Sequence, residues 1–113
     1  MMNKKEISMK FTKYAIYQLP FENENSRDLS FMSAYQVQEI SDQFEFVAII
    51  KAHSLDHVFL ISNSPSGEFE TLIERVQPMH SLSVGDIVHN LDTDETHVVA
   101  NYGWSKINMK ESV

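Results

Sequence analysis

The 113-residue chain contains no cysteine. That excludes a disulfide framework, a thiolate metal site and a cysteine nucleophile, and it fits a reducing compartment. Glycine is scarce as well. Gly67, Gly85 and Gly103 are the only three, too few and too far apart for a phosphate-cradling P-loop or a dinucleotide fingerprint. No stretch resembles a secretory h-region or an apolar span of about 18 residues. The longest apolar run, Phe46 to Ile50, is strand-sized, and we expect a cytoplasmic protein. Positive charge is the last shortage: 9 Lys and Arg stand against 16 Asp and Glu, a net charge of −7. Nucleic acids favour basic surfaces, so direct nucleic-acid binding is not expected. An acidic surface meets basic patches on proteins or imitates DNA instead. Here the acidic residues are scattered rather than regularly spaced along one face, which favours solubility as their role.

What remains is ordinary for a globular protein. Apolar residues make up 42% of the chain and charged residues 22%. Its length fits one domain, able to bury roughly two-thirds of its unfolded surface. Residues 1–10, with Lys4, Lys5 and Lys10, read as a flexible arm, 11–107 as the domain and 108–113 as a tail.

Phe11 to Leu19 reads as a strand with apolar residues on both faces, hence internal, and Pro20 ends it. Glu22 to Asp28 reads as a polar loop. Leu29 to Ile40 fits a helix better than a strand, with Ser30 or Ser33 as cap, and Ser41 to Gln43 turn the chain. Phe44 to Ala52 is the clearest strand. Ser54 to Asn63 reads as a helix, capped by Ser54, with Asp56 in its first turn. Glu68 to Val76 has helical spacing at Phe69, Leu72, Ile73 and Val76, though an irregular strand fits the same residues. Pro78 breaks whatever precedes it. A hairpin closes the domain: Ile87 to Leu91, a turn at Asp92–Glu95, then Thr96 to Tyr102. Gly103-Trp104 ends it, and Lys106 to Val113 reads as a frayed tail with Ile107 as a last apolar contact.

The expected fold is α+β: a small, mainly antiparallel sheet of three to five strands against one to three short helices. The expected core is Tyr14, Ile16, Phe46, Ala48, Ile50, Leu55, Val58, Phe59, Leu82, Val84, Ile87, Val99 and Trp104.

Chemistry-bearing clusters are few. His53 and His57 have the i, i+4 spacing of a metal pair, but His53 precedes the helix cap and no third ligand has a fixed relation to them. No metal site or cofactor is expected. His80, Ser81 and Asp86 invite a nucleophile–base–orienter reading, yet near-adjacent residues do not easily reach that geometry and no nucleophile elbow accompanies them. Asp92, Asp94 and Glu95, with Thr93 and Thr96, form a polar turn without an EF-hand loop. The chain is expected not to be an enzyme.

The richest stretch is His80-Ser81-Leu82-Ser83-Val84-Gly85-Asp86-Ile87-Val88. Leu82, Val84 and Ile87 are placed to bury. Gly85 supplies a backbone shape that a Cβ resists, and Asp86 can accept from nearby backbone N–H groups to hold the turn. The stretch also resembles the hallmark of YodL-like domains and related small phage and mobile-element proteins. Other segments follow the same order. Tyr14-Ala15-Ile16-Tyr17-Gln18-Leu19 resembles their first strand, and Arg27-Asp28-Leu29-Ser30-Phe31 the Arg-Asp-Leu-x-Phe after it. Leu55-Asp56-His57-Val58-Phe59, with Asn63, resembles a short helix ending in Asn. Tyr102-Gly103-Trp104 is similar to their Gly-aromatic ending. The family often has Ser where Gly85 stands and a longer stretch before the motif.

The resemblance implies a small non-enzymatic protein of a phage or mobile element that binds a host protein and counters a host defence system. It brings no catalytic residues. The alternative is an acidic DNA mimic or nucleic-acid-interacting accessory protein; ligand binding or hydrolysis has least support. The candidate interaction residues are His80, Ser81, Ser83, Asp86, Tyr102 and Trp104.

Overall fold

The computed structural model describes residues 10–64 and 67–110; most of the expected arm and the last tail residues lie outside them. The architecture is a six-stranded antiparallel sheet with a few short helices. The strands are β1 (Thr12–Gln18), β2 (Glu45–Ala52), β3 (Ile73–Arg75), β4 (Ile87–Asn90), β5 (Thr96–Val99) and β6 (Trp104–Ile107). Their order across the sheet is β3-β2-β1-β4-β5-β6. Two α-helices, α1 (Ala34–Glu39) and α2 (Leu55–Ser62), are joined by 3-10 turns at Ser26–Phe31, Ser41–Gln43 and Glu70–Leu72.

β1 is central, paired with β2 on one side and β4 on the other. That explains its apolar residues on both faces: Tyr14, Ala15 and Ile16 are all buried. One core cluster joins Tyr14, Ile16, Ala48, Ile50 and Val88 to Val58 and Ile61 of α2 and to Leu82. The other joins Leu19, Leu29, Phe44, Ile87, Val98 and Ile107 to Val37 of α1. Ile87 and Val88, consecutive on β4, serve different clusters, as strand alternation requires.

The sheet has six strands, more than the three to five expected. Of the two readings open for Glu68–Val76, the irregular strand holds and the helix does not. After one 3-10 turn the chain becomes β3, which pairs Ile73 with Ile50 and covers the outer edge of β2. A Glu70–Arg75 ion pair at 2.6 Å braces this segment. Lys106 and Ile107, expected to begin a frayed tail, instead join Trp104 and Ser105 in β6, set opposite β5 by the Ala100–Gly103 turn. β5 accordingly stops at Val99 rather than Tyr102.

Leu29–Ile40 is not one helix either. A 3-10 turn begins inside the expected loop at Ser26, and α1 starts afresh at Ser33. There the Ser33 hydroxyl accepts from Gln36 N–H and the Gln36 side chain accepts from Ser33 N–H, a reciprocal cap strong enough to restart the helix. The expected Ser54 cap of α2 is present, its hydroxyl accepting from His57 N–H at 3.2 Å. Phe59 is 38% exposed instead of buried. Phe46, Leu55, Val84 and Trp104 are only half-buried.

Candidate functional site

The chain between Pro78 and Val88 makes a sharp corner held from three directions. Gly85 has φ +99°, and a Cβ placed there would lie 2.4 Å from Cγ of Leu29. Glycine is therefore required twice, for its backbone and for the side chain that packs on it. Asp86 follows, fully buried. Its Oδ2 accepts from Ser83 N–H at 3.0 Å and from Gln18 Nε2 at 3.1 Å. Its Oδ1 is buried with no hydrogen-bond partner among the described residues. Burial pushes the Asp86 carboxyl up to about 6, against the opposing pull of Ser83 N–H, His80 and Gln18.

Gln18, at the end of β1, is the clamp that sequence reasoning missed. It donates to His80 O at 2.9 Å and accepts from His80 N–H at 3.2 Å while also holding Asp86. The available signal was a long amide inside an otherwise apolar internal strand, a buried polar group in need of partners. The end of α2 supplies the third hold: Leu82 N–H donates to Ser62 Oγ at 2.8 Å, and Asn63 Nδ2 donates to Leu82 O at 3.3 Å.

Beside this corner a groove of about 580 Å³ opens. Asp56, Phe59 and Leu60 of α2 form one wall, Leu82, Ser83 and Val84 the base, and Val99 to Asn101 with Gly103 and Trp104 the other wall. Leu60 is 57% exposed and Tyr102, on the turn that forms the far wall, 97%. The Trp104 indole N–H donates to Asp56 Oδ1 at 2.9 Å and so ties the two walls together. Of the candidate residues, Ser83 and Trp104 line this groove, and Tyr102 lies on the turn between the lining residues Asn101 and Gly103 without lining it.

The other candidates fall elsewhere. Asp86 is sealed inside and cannot touch a partner. Ser81 is exposed but does not line the groove. His80 lines a separate cleft of about 230 Å³ with Pro20, Phe21 and Met79. Phe59, expected in the core, and its neighbour Leu60 both face out. The signal for this was quantity: Leu55, Val58, Phe59, Leu60 and Ile61 give α2 more apolar surface than one sheet face can cover.

His80 does not serve Ser81 and Asp86 as a relay. Its Nδ1 must carry the proton, because it contacts the Ser81 carbonyl at 2.8 Å, and it lies 3.9 Å from Asp86 Oδ2. A relay-shaped chain exists at the β4–β5 turn instead. Thr96 Oγ1 lies 2.6 Å from His89 Nδ1, and His89 Nε2 lies 2.9 Å from Asp94 Oδ1. Thr96 is only 5% exposed, so this chain clamps the turn rather than presenting a nucleophile. In the same turn Glu95 pairs with Lys106, and Asn90 Oδ1 accepts from Asp92 and Thr93 N–H. Among the described residues no three or more His, Cys, Asp or Glu side chains are grouped to share a metal ion, and no helix is long and apolar enough to cross a membrane.

Comparison with known proteins returns no match to a protein family, to a curated protein or to a solved structure.

Proposed function

We propose that this is a non-enzymatic binding protein that holds a partner protein in the groove between α2 and the β5–β6 turn. The observation that carries this reading is the pair of exposed apolar side chains that line one concave site, Phe59 and Leu60, with the exposed Tyr102 on the turn between the lining residues Asn101 and Gly103. Isolated exposed hydrophobes need no explanation, but a cluster facing a groove marks a contact surface. The groove is built from three separate segments fixed by hydrogen bonds, so it is preformed, and little ordering is needed to fill it. The resemblance of residues 80–88 to YodL-like domains supports a phage or mobile-element origin, a host cytoplasmic protein as the partner and a role against host defence.

The test is affinity capture from host lysate with the full chain beside Leu60→Asp and Tyr102→Ala, both surface changes that leave the core intact. We expect one partner to be enriched by the native chain and its recovery to fall at least about tenfold with each variant. Equal recovery by all three chains, with circular dichroism showing them folded, removes the groove from the account.

A further inference from the structure

The start of α2 is held by a histidine. Ser54 caps the helix, and the His57 side chain reaches back so that its Nδ1 accepts from the backbone N–H of His53 at 3.0 Å. A backbone N–H can only donate, so Nδ1 must be unprotonated and the proton of the neutral ring sits on Nε2. The arrangement resembles a capping box in which the usual Glu or Gln is replaced by a group that titrates near neutrality.

The surroundings make protonation costly. The His53 and His57 rings lie parallel, 4° apart, with centroids separated by 5.0 Å. Phe11 stacks on the other face of His53 at 4.3 Å, and the edge of Phe69 meets His57 at 6.3 Å. A second proton on His57 would aim an N–H at the His53 N–H, set a cation beside another imidazole, and place that charge at the positive end of the helix dipole. Burial and the neighbouring His53 both hold the His57 imidazole below the usual histidine range.

Other charges do not offset this. The segments that contribute Phe11, His53, His57 and Phe69 also carry Lys10 just before β1, Lys13 on it, Lys51 on β2, Asp56 on α2, and Glu68 and Glu70 beside Phe69. Asp56 is engaged by Trp104 and Glu70 by Arg75. Lys10 contributes only its carbonyl, to His53 Nδ1 at 3.0 Å.

We propose that His57 is a titratable cap that couples the groove to pH. Neutral, it fixes the first turn of α2; protonated, it releases that turn. The released residues include Asp56, whose carboxylate holds Trp104 across the groove, and the wall residues Phe59 and Leu60 follow directly. Acidification therefore loosens the groove and its partner is let go. This regulation rests on the groove being the binding site, but the device can be read without any partner.

Trp104 is the only tryptophan of the chain, so its fluorescence reports the Asp56 contact directly. The 113-residue chain is titrated from about pH 8 to about pH 5, following Trp104 emission and the hydrogen exchange of the Leu55 to Val58 amides. We expect one transition in both, with its midpoint below the ordinary histidine value of 6.5. His57→Gln, which keeps an acceptor that cannot titrate, abolishes it. His53→Gln, which removes the second imidazole, moves the midpoint upward. Asp86→Asn, which removes a buried carboxyl that titrates at about 6, leaves it in place. A flat native titration, a transition that survives His57→Gln, an unmoved midpoint in His53→Gln or its loss in Asp86→Asn each overturns the proposal. Because no partner is added, failure here leaves the groove reading standing, and failure of the capture experiment leaves the cap standing.

Discussion

Two turns of this protein are made from the same parts and live in different solvents. The 83–86 corner has a positive φ at Gly85, an aspartate, and a histidine 3.9 Å away. The β4–β5 turn has a positive φ of 65° at Asp94, whose carboxylate meets His89 at 2.9 Å. At each, a side-chain oxygen accepts from the backbone: Asp86 Oδ2 from Ser83 N–H, Asn90 Oδ1 from Asp92 and Thr93 N–H. Asp86 is fully buried, whereas the Asp94 carboxylate is almost wholly in water. In the dry corner desolvation outweighs every hydrogen bond the carboxylate makes. In the wet turn a shorter contact contributes little, because solvent competes with it and screens it. The geometry of a pair thus says less about its energetic weight than the medium around it.

Four substitutions sharpen that contrast. The largest effect belongs to Gly85→Ala. It forces a Cβ into a left-handed conformation, costing about 1–2 kcal/mol, and into Leu29, costing roughly 1–3 kcal/mol more. Chemical denaturation should show a loss of about 3 kcal/mol. Adding Leu29→Ala should recover the steric part, so that the double variant is more stable than additivity allows; strict additivity would show that the two residues do not meet.

Asp86→Asn comes next, and its sign depends on pH. The folded-state value of about 6 lies above the ordinary 3.8, so the native fold binds this proton more tightly than the unfolded chain. The stabilisation is complete below 3.8 and is lost as pH rises through about 6. On the order of 3 kcal/mol is at stake. Asparagine does not titrate, so the variant should gain about that much relative to the native chain between pH 4 and pH 7. A constant difference between denaturation curves at the two pH values would refute the buried-carboxylate account.

Asp94→Gly should do least. It relieves a positive φ, a gain of about 1 kcal/mol, and loses an exposed pair of similar or smaller value. The net change should stay within about 1 kcal/mol and should vary with added salt. A loss as large as that of Gly85→Ala would abolish the distinction between the two turns.

Much of the sheet was legible because strand periodicity is local. β1, β2 and β4 announce themselves through apolar and β-branched residues, and α2 through Ser54 and its spacing. β3 was legible only as one of two readings of Glu68–Val76, and β6 was not legible. Three residues with one apolar member, Ile73-Glu74-Arg75, carry no period, and their strand state comes from the vacant edge of β2. β6 needs β5 beside it in the same way. At the site, the motif singled out 80–88, and burial of Leu82 and Ile87 follows from the pattern. Gln18 and Leu29, however, reach the corner from distant segments, and a sequence pattern carries no information about such meetings. The groove was half legible: Ser83 and Trp104 were marked, while Phe59 looked like core and Leu60 was not among the marked residues.

The sheet order has a further consequence, for synthesis. β1 sits at the centre but is made before both neighbours. β2 follows within a few dozen residues and can pair with it early. β4 is translated much later, on the order of ten seconds at ordinary elongation rates. Until then the second edge of β1, at Tyr14 to Tyr17, has no strand to bond, and Gln18 has no corner to hold. A nascent chain stopped before Ile87 would present that apolar edge to any other strand it met. Emergence of the corner is thus the moment at which the growing chain ceases to be sticky.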